Sequence, residues 1–228
     1  MKKIINFFLL LSALLLSLSF TACEDDTPEG SSVKNGTTIV CLGDSLTAGF
    51  GATIPSVDDK TKSYPAFLQE KVKIPVINAG VSGNTTGDAL NRIDEDVLSQ
   101  NPHIVIILLG GNDVFNSVNF AITELNFQTI LNKIDNGKRK IYLLKFYTDA
   151  IAQQLVLMYP NVDPAAYNNM YTTLAASKNV TLIEDIWDGI WGINMSDFVH
   201  PNAAGYEKMA NNIFAEMEPY LSAKGYLK

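Results

Sequence analysis

The chain has 228 residues, of which 47% are hydrophobic and 18% charged, so it can bury a sizeable core and is not wholly disordered. It carries 17 Lys and Arg against 24 Asp and Glu, a net charge of −7, which argues against a nucleic-acid partner because such proteins normally present a basic face. Two cysteines exclude a disulfide-dense scaffold and a Cys-rich zinc site, and two histidines exclude most His-clustered metal sites.

Residues 1–22 are typical of an export signal peptide. Lys2 and Lys3 provide a positive start, and residues 4–20 form an uncharged apolar stretch that is shorter than the roughly 20 residues of a membrane-spanning helix. A permanent membrane anchor is the alternative interpretation. A simple secretory cleavage before Cys23 is disfavoured, because Phe20 stands at a position where the signal requires a small residue.

The run at 18–23 resembles a bacterial lipobox, in which the cysteine is lipidated and becomes the new N-terminus. The resemblance implies lipidation at Cys23, which leaves only Cys41 and therefore no intrachain disulfide. Cys23 is followed by Glu24, Asp25 and Asp26 and then by a stretch rich in Pro, Gly and Ser, so residues 23–36 predict a flexible tether. The acidic start resembles a surface-export signal of some Gram-negative lipoproteins, or is simply a solvated linker.

We therefore expect a protein of the bacterial cell envelope that is lipid-anchored to the outer membrane. The anchored domain faces either the periplasm or the exterior, and the lipid is its only expected contact with the membrane. Residues 37–228 form the expected folded domain.

These residues alternate strand-like and helix-like segments, the pattern of a parallel α/β sheet. Short apolar runs predict five strands, and the third is placed centrally because it is the longest and richest in β-branched residues. The predicted strands are 38–42, 75–78, 104–109, 141–144 and 180–183. Stripes at helical spacing between and after them are expected to face the core. They are Leu90, Ile93 and Val97; Phe127, Ile130, Leu131 and Ile134; Tyr167, Met170, Tyr171 and Leu174; and Tyr206, Met209, Ala210, Ile213, Phe214 and Met217.

Polar residues follow the first three strands, at the edge of the sheet where such folds bind ligands. Ser45 follows the first strand within the sequence GDSL, although an ordinary turn with a helix-capping serine would look the same. The loop at 78–86 follows the second, and its glycines would let a ligand approach backbone N–H groups, although a structural loop could look alike. Asn112 follows the third within GGND, where its amide can donate to a developing oxyanion.

Asp197 and His200 form a candidate pair near the C-terminus. Three residues apart in one turn, the carboxylate can bind the imidazole Nδ1 and leave Nε2 free to accept a hydroxyl proton. Pro201 then begins a helix, which keeps His200 on a loop rim. His103 precedes the third strand, at the end opposite the ligand crevice, where a surface or capping role is expected.

Taken together and in this order, the four blocks resemble the SGNH/GDSL hydrolase family, which is named for one Ser, Gly, Asn and His. The subgroup that the chain resembles most is the arylesterase, lysophospholipase L1 and acyl-CoA thioesterase I type. The resemblance is tight over 38–115 and 194–206 and faint between them. The blocks GDSL, SGNT, GGND and DxxHP match as Ser45, Gly83, Asn112 and His200, with Asp197 as the orienting acid.

The resemblance implies a three-layer α/β/α flavodoxin-like sandwich, with a five-stranded parallel sheet in the order 2-1-3-4-5. It also implies hydrolysis of carboxylic esters, thioesters or lysophospholipids through an acyl-Ser45 intermediate, without metal or cofactor. His200 would be the base and Asp197 would orient it. The oxyanion would be held by the Ser45 N–H, the Gly83 N–H and the Asn112 amide.

Several alternatives stay open at this point. They are a carbohydrate O-acetylesterase of the same fold, an acyltransferase, and an inactive surface lipoprotein that only binds its ligand. Residues 114–120 are apolar enough to wall an acyl-chain pocket or are simply packing at a helix start. The segment 52–62 is long and charged for this subgroup and is expected to alter the mouth of the site. Trp187 and Trp191 either face the substrate or anchor the core. The expected partner is a small ester or a lipid.

Overall fold

The computed structural model describes residues 37–147, 151, 156–178 and 180–228. The predicted signal peptide at 1–22 and the tether at 23–36, with its lipidation site Cys23, lie outside these residues. Among the helices of the described residues, none is long and apolar enough to cross a membrane.

A five-stranded parallel sheet lies at the centre of the fold, in the order β2-β1-β3-β4-β5, which confirms the predicted fold class and strand order. The central strand β3 is buried along its whole length, as expected for the longest β-branched run. The predicted boundaries differ from the observed ones by at most two residues. The strands are β1 Ile39–Gly43, β2 Val76–Gly80, β3 Ile104–Leu108, β4 Lys140–Leu144 and β5 Thr181–Ile183.

The register aligns the carboxyl ends of the first three strands in chain order. Gly43 at the end of β1 is level with Gly80 of β2 on one side and with Leu108 of β3 on the other. The residues that follow these strands therefore start from one edge of the sheet, which is where the predicted site residues lie in the sequence.

Helices cover the sheet in two groups. In chain order they are α1 Ser45–Ala48, α2 Tyr64–Gln69, α3 Thr86–Asp96, α4 Gly111–Phe115, α5 Phe120–Ile134, α6 Pro164–Lys178 and α7 Ala203–Ala223, with single turns of 3-10 helix at Lys60–Lys62 and Leu98–Gln100. Helix α2 packs on α7, whereas α5 packs on both α3 and α6. The apolar stripes that the periodicity predicted are buried, apart from Leu90 and Phe214, which are partly exposed.

Local sequence explains where the longer helices begin. At the start of α3, Thr85 and Asp88 form a reciprocal capping box: the Thr85 Oγ1 accepts from the Asp88 N–H, and the Asp88 carboxylate accepts from the Thr85 N–H. Asn202 caps α7 through the Gly205 N–H, one residue after Pro201. These caps satisfy N–H groups that a helix start otherwise leaves without acceptors.

Candidate active site

The turn after β1 places a serine at the first position of α1. Asp44 is the N-cap of this helix, and its Oδ1 accepts a hydrogen bond from the Leu46 N–H at 3.0 Å. Because Asp44 caps the helix, the capping role that an ordinary turn would give to Ser45 is already filled. The Ser45 side chain instead lines a cavity at the carboxyl end of the sheet.

Ser45, His200 and Asp197 form a continuous line of hydrogen bonds. The Ser45 Oγ lies 2.9 Å from the His200 Nε2, although the two residues are 155 positions apart in the chain. The other ring nitrogen, Nδ1, lies 2.8 Å from Oδ2 of Asp197 and 3.0 Å from its Oδ1. A carboxylate at Nδ1 keeps a proton on that nitrogen, so that Nε2 is left to accept the hydroxyl proton.

A tight loop presents His200 to the cavity. Met195 and Pro201 pair in an antiparallel bridge, which closes the loop. Within it, the Asp197 Oδ1 accepts hydrogen bonds from the backbone N–H groups of Val199 and His200, each at 2.8 Å. Burial would raise the pKa of Asp197, but these two N–H groups and the His200 ring outweigh it and hold the pKa below its usual value. The carboxylate is thus kept ionised and fixed beside the ring.

Gly83 and Asn112 line the same cavity as Ser45, which has a volume of about 280 Å³. Gly83 has a φ of +81°, in the left-handed region that favours glycine, and a side chain there would meet no other atom within 4 Å. Backbone conformation therefore explains this glycine, rather than lack of space. Within the described part of the chain no acceptor takes the Gly83 N–H, so this group is available to a ligand.

Two protein oxygens hold the side chain of Asn112. Its Nδ2 donates to the carbonyl oxygen of Asn84 at 3.0 Å, and it lies 3.3 Å from the Oδ2 of Asp44. The bond to Asn84 is the shorter of the two and fixes the plane of the amide. The structure thus brings the three predicted oxyanion donors to one cavity. Both N–H bonds of the Asn112 amide already have an acceptor, so Asn112 would bind a substrate oxygen there by giving up its longer contact with Asp44.

Asp44 belongs to the site, although the sequence offered only its position beside Ser45 as a signal. Its side chain is 3% exposed. Burial raises its pKa from 3.8 to about 7, and the nearby carboxylate of Asp113 adds to the effect, whereas the hydrogen bond from Leu46 opposes it. A carboxyl group that changes charge near neutral pH therefore lies beside the Asn112 amide.

Asp113 is a second buried carboxylate that the sequence reasoning did not assign. It is fully buried and accepts hydrogen bonds from the Thr86 N–H at 2.9 Å, from the Thr86 hydroxyl at 2.5 Å and from the Thr123 hydroxyl at 3.2 Å. These bonds join α4 to the start of α3 and to α5. The helix that carries Asn112 is therefore anchored on both neighbours.

A larger cavity of about 550 Å³ lies on the other side of α4. Five residues of the segment predicted to wall an acyl pocket line it together with residues 158–163, namely Val114, Ser117, Val118, Asn119 and Phe120. Phe115 lines the smaller cavity instead, and its ring lies 5.8 Å from that of Tyr159, which lines the larger one. The Phe115 side chain therefore lines the smaller cavity and also contacts a residue that lines the larger one.

The two tryptophans have structural contacts. Trp187 is 4% exposed, and its Nε1 donates to the carbonyl of Phe146 at 3.0 Å. The Phe146 side chain lines the cavity beside Ser45, so Trp187 anchors that wall from behind. Trp191 is half-buried, with its ring 5.5 Å from that of Trp187 and 6.0 Å from that of Phe198. Of the two roles expected from the sequence, facing the substrate or anchoring the core, these contacts support the second for Trp187.

Phe50 and the loop after it border the mouth of the site. The Phe50 ring packs against the His200 ring, with 4.5 Å between the ring centroids. Farther along, the carboxylate of Asp58 accepts a hydrogen bond from the Ser82 hydroxyl at 2.5 Å, and Ser82 lines the cavity. The long charged segment predicted at 52–62 is therefore tied to the loop after β2.

His103 lies just before β3, at the amino end of the strand. Its Nε2 is 2.9 Å from the Tyr220 hydroxyl, and its ring also contacts that of Tyr226. Burial, with a smaller effect of the Lys224 charge, lowers its pKa below the usual value. Across the described ranges of the chain no group of three or more His, Cys, Asp or Glu side chains is placed to hold a metal ion.

Known proteins are similar to this chain in sequence and in fold. The model of the GDSL-like Lipase/Acylhydrolase family matches residues 41–208, well over half of the chain. The chain is 25% identical to Esterase TesA of Pseudomonas aeruginosa over 195 residues, which cover 81% of this chain and 89% of that protein. It is also 25% identical to the thioesterase 1/protease 1/lysophospholipase L1 of Escherichia coli strain K12 over 213 residues, or 91% of each chain.

Among solved structures, the fold is similar to that of a lipase/acylhydrolase from Enterococcus faecalis. The two superpose with a TM-score of 0.65 at 25% sequence identity, over 84% of this chain and 97% of the other.

Proposed function

This chain belongs to the GDSL-like Lipase/Acylhydrolase family and is a carboxylic ester hydrolase, and we propose that it works through an acyl intermediate on Ser45. The observation that carries this mechanism is the line of hydrogen bonds from the Ser45 Oγ through His200 to Asp197. It opens into a cavity that Gly83 and Asn112 also line.

In the first half of the reaction, the Ser45 Oγ attacks the ester carbonyl carbon while the His200 Nε2 takes the hydroxyl proton. The carbonyl oxygen becomes an oxyanion, which the Ser45 N–H, the Gly83 N–H and the Asn112 amide stabilise. Asp197 holds the ring and stabilises the imidazolium. The tetrahedral intermediate then collapses, its bond to the leaving alcohol or thiol breaks, and the leaving group takes the proton from His200.

In the second half, a water molecule takes the place of the leaving group. His200 removes a proton from this water as its oxygen attacks the acyl carbon, and the same donors hold the second oxyanion. Breakdown of this intermediate releases the carboxylic acid, and the Ser45 oxygen regains its proton from His200. The enzyme returns to its starting state with no metal or cofactor involved in either step.

The mechanism is tested by substitution of the serine and the histidine. Ser45→Ala and His200→Ala should each lower the turnover of p-nitrophenyl acetate by about 10⁴-fold or more, with an unchanged circular dichroism spectrum. His103→Ala is the matched control, since it removes the other histidine at the opposite end of β3, and it should keep nearly full activity. An organophosphate should modify the wild type at Ser45 and leave Ser45→Ala unmodified. Substantial activity in Ser45→Ala would overturn the acyl-serine mechanism.

For the substrate, the proposal is an ester whose acyl group enters the cavity beside Ser45. This cavity alone, at about 280 Å³, favours a short acyl group, and a carbohydrate O-acetyl ester is therefore the second candidate. The larger apolar cavity beyond Phe115 supports longer chains. Thioesters and lysophospholipids share the acyl half of the reaction and fall within the same proposal.

A substrate series separates these candidates. It comprises p-nitrophenyl acetate, hexanoate and decanoate, a lysophospholipid, an acyl-CoA and an acetylated xylo-oligosaccharide. Values of kcat/KM that rise with chain length would support a lipid-type substrate. Activity confined to acetyl esters, and highest on the acetylated sugar, would support the O-acetylesterase. Activity that appears only when an acceptor alcohol is added would support an acyltransferase instead.

The location of the enzyme also remains part of the proposal. Lipidation at Cys23 would anchor the catalytic domain to the outer membrane through the tether at 23–36, so that the lipid makes the membrane contact. The lipobox resemblance at 18–23 supports this location.

A further inference from the structure

Arg92 is an unusually enclosed cation in the middle of α3. Its side chain is only 16% exposed, and the guanidinium donates four hydrogen bonds. Removing a charge from water is unfavourable unless the group is paired and hydrogen-bonded. Three of the four contacts that compensate Arg92 lie at the ends of strands β1 and β2 or next to a proposed oxyanion donor, and the fourth is an ion pair within α3. Its partners are Asn84 Oδ1 at 2.6 Å, Asp96 Oδ2 at 2.6 Å, Gly43 O at 2.8 Å and Ala79 O at 2.9 Å.

The contact between Arg92 and Gly43 holds the turn that carries Ser45. The Arg92 Nη2 donates to the carbonyl of Gly43, which is the last residue of β1 and stands two positions before Ser45. The same carbonyl accepts the Val81 N–H at 3.2 Å. Arg92 thereby holds the end of β1 against the chain that leaves β2.

Two further contacts fix the loop that carries Gly83. Arg92 Nη1 donates to the carbonyl of Ala79, before this loop, and Arg92 Nε donates to the side chain of Asn84, directly after Gly83. One planar group therefore holds the loop at both of its ends. The left-handed backbone at Gly83 lies between these two attachment points, which fixes the direction of its free N–H.

Asn84 connects Arg92 to the third proposed oxyanion donor, the amide of Asn112. While the Asn84 side chain accepts the Arg92 Nε, its backbone carbonyl accepts the Asn112 Nδ2 at 3.0 Å. Movement of Asn84 would therefore turn the Asn112 amide. Asp96, one helical turn after Arg92, holds the guanidinium from the solvent side.

We propose that Arg92 is the positioning residue of the oxyanion hole, which sets the Ser45 N–H, the Gly83 N–H and the Asn112 amide relative to one another. The inference rests on the proposed acyl-serine mechanism. Arg92 does not line the cavity, so its role is to orient groups that touch the substrate. A lysine cannot replace it, because a single ammonium lacks the planar set of N–H groups that reaches both strand ends and Asn84 together.

The test compares Arg92→Lys with Lys133→Met. Lys133 of α5 pairs with Asp94 on the exposed side of α3, so its variant removes a basic side chain bound to the same helix but away from the site, a harsher change than Arg92→Lys, which keeps the charge. Arg92→Lys should lower kcat by roughly 10- to 100-fold with little change in KM, because displaced oxyanion donors weaken binding of the transition state more than binding of the substrate. Lys133→Met should leave both constants nearly unchanged.

A double variant separates positioning from general destabilisation. If Arg92 acts through the oxyanion hole, Arg92→Lys should cost clearly less in an Asn112→Ala background than in the wild type, because one of the groups it positions is already gone. A purely structural role would give equal losses in both backgrounds and would overturn the proposal. So would a change confined to KM, or a kcat loss no larger than that of Lys133→Met.

Asn84→Ala provides a second variant in case Arg92→Lys does not fold. It keeps the backbone carbonyl that binds Asn112 but removes the Oδ1 that accepts the Arg92 Nε, and it should lower kcat several-fold with KM unchanged. An unchanged kcat in Asn84→Ala would contradict the proposal. Ser45→Ala separates the acyl-serine mechanism from the role of Arg92. An active Ser45→Ala variant would refute the mechanism. An inactive Ser45→Ala together with a fully active Arg92→Lys would refute only the role of Arg92.

Discussion

At the scale of single residues, the burial of Asp44 has a clear electrostatic consequence. Its carboxyl group caps α1 and lies 3.3 Å from the Asn112 amide, and the nearby charge of Arg92 lowers its pKa by less than burial raises it. Burial raises its pKa from 3.8 to about 7. The folded protein therefore holds a proton on Asp44 over a range of pH in which the unfolded chain has released it.

This difference predicts how Asp44→Asn changes the pH dependence of stability. The pKa of Asp44 is higher in the folded protein than in the unfolded chain. Its favourable contribution to the free energy of unfolding is therefore complete below about pH 4 and is lost as the pH rises to about 7. Asparagine also caps helices but does not titrate. The free energy of unfolding of the variant should therefore rise relative to that of the wild type between these pH values, by at most roughly 4 kcal/mol.

Urea unfolding of both proteins at several pH values measures the effect. Other titrating groups are common to the two proteins and cancel in the difference, as does any constant effect of the new amide beside Asn112. A difference in unfolding free energy that stays flat from about pH 4 to pH 8 would refute the shifted pKa of Asp44.

The sequence predicted contacts between side chains that lie only a few residues apart in the chain. Asp197 and His200 lie within one turn of chain, so their contact followed from three residues of sequence. Arg92 gave no comparable signal. An arginine in a helix normally lies on the solvated face, and its bonds to Gly43 and Ala79 depend on how α3 packs across the strand ends.

At the scale of elements, the short helix α4 serves both sides of the site. Asn112 lies on the cavity beside Ser45, whereas Asp113 is buried and binds α3 and α5. Phe115, at the end of the helix, lines this cavity and contacts Tyr159, which lines the larger one. One helix of five residues thus carries the proposed oxyanion donor Asn112 and, in Phe115, the expected wall between the two cavities.

Removal of this wall should change the preferred acyl chain. Phe115→Ala should join the two cavities and raise the ratio of kcat/KM for p-nitrophenyl decanoate over acetate by about 10-fold or more, at ~0.8 kcal/mol for each methylene that becomes buried. Phe120→Ala is the matched control, because Phe120 is also half-buried but lines the larger cavity alone. An equal ratio in the wild type and both variants would show that the larger cavity does not receive the acyl chain.

The elements themselves were predictable because their signals are short-range. Apolar runs and helical stripes place the strands and helices, and their alternation is compatible with a parallel sheet. The boundaries were less exact, since the ends of strands are set by pairing with neighbours. Gly43, for example, was expected to follow β1 but pairs with Gly80 and forms its last residue.

At the scale of the whole molecule, the described residues belong to one compact unit. Every part of the proposed catalytic machinery lies within it, from Ser45 in the first turn to His200 before the last helix. The proposed lipid site at Cys23 precedes this unit in the sequence. Anchoring and catalysis are therefore expected to be separable by substitution.

Cys23→Ser should move the protein from the membrane fraction to the soluble fraction while kcat on a soluble ester stays unchanged. Ser45→Ala is the complementary control, because it should lose activity and remain in the membrane fraction. Fractionation of the producing bacterium, with activity assayed in each fraction, measures both effects. A Cys23→Ser protein that still sediments with membranes would contradict the lipid anchor.

The sequence by itself determined which candidate site residues follow each strand. These are a serine, a glycine loop and an asparagine after three successive strands, and then an Asp and a His before the last helix. These features depend on neighbours in the chain, so their spacing reveals them. The tertiary structure decided the contacts between distant segments. It set the 2.9 Å contact between Ser45 and His200, the burial of Asp44 and the two cavities beside α4. Such features arise from packing across elements, where a shift of about 1 Å changes which atoms meet.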